Sequence, residues 1–147
     1  MALLDDESLP FWFGEKQGAT REQLLAAEAY VGHVLPGAMR SLLEQQNGGV
    51  SNFSAFEDEE AYYPLLPFFG ADADAGAGTL MRAYDVRDSF DVPDGVVVFA
   101  GQGNAWWGLD YRGGRDGPAV VYRNEPGEPV ELVADSFEVF LSGLTEG

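Results

Sequence analysis

The sequence has no cysteine, one histidine (His33) and only eight Lys and Arg residues in 147. Without cysteine there is no disulfide framework and no thiolate metal site. With one histidine there is no imidazole set to share a metal ion, so His33 reads as a connector residue between helices and not as a ligand or base. Long apolar runs are missing too: nothing approaches the roughly 20 residues that cross a bilayer. Met1 to Pro10 carries Asp5, Asp6 and Glu7 before any basic residue, the reverse of the positive start of a secretory leader. These absences predict a cytoplasmic protein that uses no cofactor or metal and binds no membrane.

The scarcity of bases has a second consequence. Twenty-five acids against eight bases give a net charge of −17. Up to Glu60 there are 11 acids and 3 bases (−8), and beyond it 14 and 5 (−9), so the excess runs along the whole chain. Direct nucleic-acid binding needs a positive footprint that displaces counterions, and none is available. The sign suits a basic protein partner, since complementary fields accelerate association. It equally suits plain solubility or an acidic proteome. Length fits a single domain spanning 1–147, and 46% hydrophobic with 13% aromatic residues fill its core.

Thr20 and Gln23 have capping-box spacing, and Leu24, Ala27 and Val31 continue an apolar stripe with Glu28 at its edge. Pro36 suits the first turn of a second helix with Met39, Leu42 and Leu43 inward, stopped by Asn47-Gly48-Gly49. Tyr62 to Phe69 is aromatic and extended, but Pro64 and Pro67 confine it to an edge strand or a loop. Thr79 to Phe90 is open to strand, helix or both. Four strands follow: Val96 to Phe99, expected to be central; Ala105 to Arg112; Ala119 to Arg123; and Val130 to Val133. In the second of these Trp107, Leu109 and Tyr111 share one face, and Trp106 and Asp110 the other. Asp135 or Ser136 caps a last helix with Phe137, Phe140, Leu141 and Leu144 on one side. This order specifies an α+β fold: one mainly antiparallel sheet flanked by N-terminal helices and a C-terminal helix.

Sites for chemistry are scarce. No serine sits in a nucleophile elbow, and His33 has no evident partner. Asp72 to Gly76 superficially matches a calcium loop but lacks the turn glycine at Ala77 and the closing glutamate at Ala83. Gly101-Gln-Gly103 passes from strand to strand, so it is a hairpin turn and not a phosphate cradle. Four adjacent acids, Glu57, Asp58, Glu59 and Glu60, are solvated and do not form the separated, desolvated carboxylate pair of a glycosidase. Flanked by Phe56 and Tyr62, they combine aromatic anchors with a negative rim, a composition that interface hot spots use; the competing reading is an acidic loop over core aromatics. Trp107 is assigned to the core, Trp106 to a position nearer a partner or a covering helix, and Asp110 shares its face. Arg112 is expected to pair with a nearby carboxylate.

Several of these segments, in order, resemble the SUKH superfamily, also called the Smi/Knr cell-wall assembly regulator family. They are Leu35-Pro36, Leu42-Leu43 and Asn47-Gly48-Gly49; Val96 to Ala100; Trp107-Gly-Leu-Asp-Tyr-Arg112; Pro118 to Val121; and Ala134 to Leu141. The matched stretch covers roughly residues 20–144. Bacterial relatives often carry a Gly-Asp-Gly-His turn where this chain has Gly101-Gln-Gly-Asn104. The resemblance implies an immunity protein that binds and neutralises a cognate toxin, often a nuclease or deaminase, and is not an enzyme. The alternative within the same superfamily is a non-immunity interaction module.

Overall fold

The computed structural model describes residues 10–13, 17–57, 61–71, 79–113 and 117–145. Asp5, Asp6 and Glu7, the acids Asp58 to Glu60, the loop 72–78 and residues 114–116 of the Gly113 to Pro118 turn lie outside the described residues.

Local chemistry sets the helix ends. Thr20 Oγ1 accepts the Gln23 amide at 3.1 Å and Gln23 Oε1 accepts the Thr20 amide at 2.9 Å, starting α1 at Arg21–Val31. Gly32, at φ +80°, ends it, a conformation that costs glycine little. Pro36 caps α2, Gly37–Gln45, from just outside its first turn. Thr79 and Ser136 accept the amides three residues on and open α3, Leu80–Asp85, and α4, Phe137–Ser142. The stretch over 79–90, open in the sequence, is helical: α3 runs through Val86 into a 3₁₀ turn at Arg87–Phe90.

The described strands form two antiparallel sheets. β1 (Ala55–Glu57), β2 (Tyr62–Pro64) and β7 (Leu144–Thr145) make a small one in the order β2-β1-β7. β3 (Val96–Gln102), β4 (Ala105–Asp110), β5 (Ala119–Arg123) and β6 (Glu131–Ala134) make a larger one in sequence order. The larger sheet is the antiparallel sheet expected from the sequence; the three short strands add a second. The fold is α+β, with helices at both ends.

One expectation is corrected. The run Val96 to Phe99 is not a central strand: β3 is the first strand of its sheet. Its apolar character reflects cover on both faces, with Val97 and Phe99 in the main core and Val96 and Val98 in a second cluster. Its outer edge is partly satisfied by the Pro67 to Phe69 segment. The Phe69 amide donates to Phe99 O at 2.8 Å and the Gly101 amide to Pro67 O at 3.0 Å. An apolar run reports faces covered, not neighbours paired.

The main core lies on the face carrying Val97, Phe99, Trp107, Leu109 and Tyr122, against α1, α2, α4 and the small sheet. Trp107 Nε1 donates to Pro64 O at 2.9 Å and ties β2 to the larger sheet. On the far face, the segment from α3 to Val92 folds over Val98, Trp106 and Val121. No helix among the described residues is long and apolar enough to cross a membrane.

Candidate interaction surface

Among the described residues nearly all the acid is on the outside. Apart from Glu28 and Asp110, every described Asp and Glu is exposed. Among the described residues, no group of three His, Asp or Glu side chains is gathered that could hold a metal ion.

The residues expected to meet a partner fall in two places. β1 and β2 pair so that Glu57 lies opposite Tyr62 and Phe56 opposite Tyr63. Alternation along a strand then turns neighbours apart. Glu57 and Tyr62 are exposed, Tyr62 at 59%, whereas Phe56 is 5% exposed and stacks on Phe140 with centroids 5.8 Å apart. Phe56 therefore anchors the hairpin from beneath. Asp58, Glu59 and Glu60 join these two strands in the sequence and lie outside the described residues.

Trp106 and Asp110 sit together on the opposite face of the larger sheet. Trp106 is 3% exposed and lies under the covering segment with Val92, Val98 and Val121, so it faces that cover and not open solvent. Asp110, four residues along the same strand, holds Arg112: the guanidinium donates through Nε at 2.9 Å and Nη2 at 3.0 Å. The geometry thus joins Glu57 to Tyr62 but sets Trp106 and Asp110 apart from them.

His33 stacks on Tyr111 at 4.2 Å between ring centroids, and Tyr111 donates its hydroxyl to Val34 O at 2.6 Å. This closes the connector between α1 and α2 against the sheet. The Tyr111 hydroxyl is pushed well above the usual phenol range, first by burial and then by the Glu28 charge. Tyr122 is raised by burial and by Glu128 and Glu131. These two glutamates, with Glu125, Asp135 and Glu138, give an exposed acidic border around β6, the last strand of its sheet. Nothing in the sequence singles them out, because they are dispersed over 14 positions.

The arrangement is that of an α+β domain with an acidic exterior, an aromatic core and a short exposed hairpin. The model of the SMI1/KNR4 family (SUKH-1) matches residues 18–143, and the chain belongs to this family. No curated protein gives a significant match. Family members include immunity proteins and are generally non-enzymatic, so membership points to protein–protein interaction.

Proposed function

We propose that this chain is a bacterial immunity protein of the cytoplasm, which neutralises a cognate basic toxin by binding it and performs no turnover. Family membership over residues 18–143 is the observation that carries this reading; the net charge of −17 supports a cationic partner. Binding would centre on the β1–β2 hairpin, with Glu57 and the acids Asp58 to Glu60 as a negative rim and Tyr62 as the exposed aromatic. Phe56 supports it from the core. Tyrosine is favoured at such positions because it offers a large contact area with a polar tip.

The test is co-expression with the toxin encoded beside this gene. Survival only when the chain is present, together with a complex isolated from the cells, is the expected result. Killing that is equal with and without the chain overturns the proposal. A neighbouring gene that encodes no toxin, with a housekeeping partner recovered instead, would make the chain an interaction module of the non-immunity branch.

A further inference from the structure

The covering segment does not fill the space above the far face of the sheet. Between α3, the 3₁₀ turn and the β3–β4 hairpin lies a half-open cavity of about 570 Å³, walled by Phe69, Val86, Phe90, Val92, Val98 and Trp106. Sites for small organic ligands have this size and this apolar lining with few polar groups.

Two buried donors near it are left without acceptors. Trp106 Nε1 is buried and has no hydrogen-bond partner, although Trp12 and Trp107 donate theirs to Leu42 O and Pro64 O. A Cβ added at Gly108 would come 2.9 Å from Trp106 Cζ3 and 3.4 Å from Cε3, so the six-membered ring lies over Gly108. Nε1 is on the opposite flank of the indole. Arg123, opposite Trp106 in β5, is equally unusual. It is buried, its guanidinium carbon lies 5.5 Å from the Trp106 ring centroid, and its Nε has no partner. Its other nitrogens donate to the carbonyls of Phe90 and Asp91.

Bases also stand around this cavity. Of the six described bases, Arg82, Arg87 and Arg123 belong to the elements that frame it, and Arg82 lines it. Neither ion pair among the described residues includes any of the three; Asp85, Asp88 and Asp91 on the same segment are exposed. A buried donor without an acceptor is costly, and Arg82, the base in the lining, offers an anion a counter-charge.

We propose that this cavity binds a small organic carboxylate with an aromatic or branched aliphatic body. The body lies between Phe90 and Val98, the carboxylate meets Arg82, and an acceptor oxygen takes the Trp106 indole N–H as the overlying rings move aside. This is separate from the β1–β2 hairpin and does not depend on which protein the chain binds.

The three indole N–H groups supply the readout. Titrating 3-phenylpropionate into the ¹⁵N-labelled chain should shift the Trp106 indole N–H downfield and saturate with a Kd of about 1 mM, the range open to so small a ligand. The Trp12 and Trp107 resonances should stay in place. Trp106→Phe keeps an aromatic wall but removes the donor, and should weaken binding by about fivefold. Arg82→Gln, on an exposed position that leaves the fold intact, should weaken the carboxylate but not neutral 3-phenylpropionamide. No saturable shift of the Trp106 resonance, or equal affinity for acid and amide in the native chain, overturns the proposal.

Discussion

Glu28 and Leu35 are joined across the break between the first two helices: the Glu28 carboxylate accepts the Leu35 backbone amide at 2.8 Å. Glu28 does not sit at the edge of the α1 stripe but is 9% exposed, with Arg40 Nε of α2 at 4.0 Å. One carboxylate thus satisfies a buried amide and lies close to a base of the next helix. Replacing Glu28 with Ala strands the amide and should destabilise the fold by about 1–3 kcal/mol. Glu28→Gln keeps an acceptor and should lose less than half as much. Urea unfolding of the three proteins measures both; equal midpoints for native and Ala forms would show that the bond contributes nothing.

Tyr111 predicts the alkaline limb of stability. Its folded pKa is raised by burial and by Glu28 above the ordinary 10.0. Above pH 10.0 the unfolded chain releases the proton while the folded chain keeps it, so stability is fully present below that pH and declines as pH rises past it. Tyr111→Phe removes the donor to Val34 O and should cost about 1 kcal/mol at neutral pH. The gap between native and variant should then narrow above pH 10.0. A gap constant across that range would mean that Tyr111 titrates alike in both states.

Phe56 and Tyr62 are near in sequence and opposite in role. Phe56→Ala removes a ring stacked on Phe140 and should cost about 3–5 kcal/mol. Tyr62→Ala removes an exposed side chain and should change stability by less than about 0.5 kcal/mol. If the hairpin is the binding edge, Tyr62→Ala should slow neutralisation without moving the unfolding midpoint, and Glu57→Lys should slow association with a basic partner. That association should also slow as salt rises, because the screening length falls from about 10 Å at 0.1 M to about 3 Å at 1 M. Wild-type rates for Tyr62→Ala and Glu57→Lys would place the contact elsewhere.

What the sequence carries plainly is local. Thr20 with Gln23, Ser136 with Val139 and Asp110 with Arg112 interact within three positions, and all are formed as the spacing requires. The two faces of β4 also follow from alternation. The position of β3 at the sheet edge does not, since its run is covered on both faces and its outer edge is met by Pro67 to Phe69, about 30 residues earlier. The burial of Trp106 depends on the 79–92 segment, whose short helix has no extended periodicity to announce it. The candidate hairpin was legible as a composition, acids beside aromatics. Which aromatic points outward was not, because that depends on the register of β1 with β2.

α2 ends at Gln45 with Gln46 already extended, and the Asn47-Gly48 turn that follows positions a distant segment. Asn47 Oδ1 accepts the Ala71 amide at 2.7 Å, and the Gly49 amide and Phe68 O are bonded at 2.9 Å, so the turn holds the strand-like stretch leading toward α3. Gly48 has φ +86°, and a Cβ there would lie 2.8 Å from Gly70 N and 2.9 Å from Phe68 O. Both are backbone atoms of the clasped segment, which cannot rotate away. Gly127 has nearly the same backbone, φ +88°, with nothing within 4 Å. The pair separates two costs of a side chain. Gly127→Ala carries only the left-handed conformation, about 1 kcal/mol. Gly48→Ala carries that and the collision, and should lose about 2–4 kcal/mol. Midpoints from urea unfolding decide it: if the two alanines cost the same, the close approach of Phe68 and Gly70 to the helix stop contributes nothing to stability.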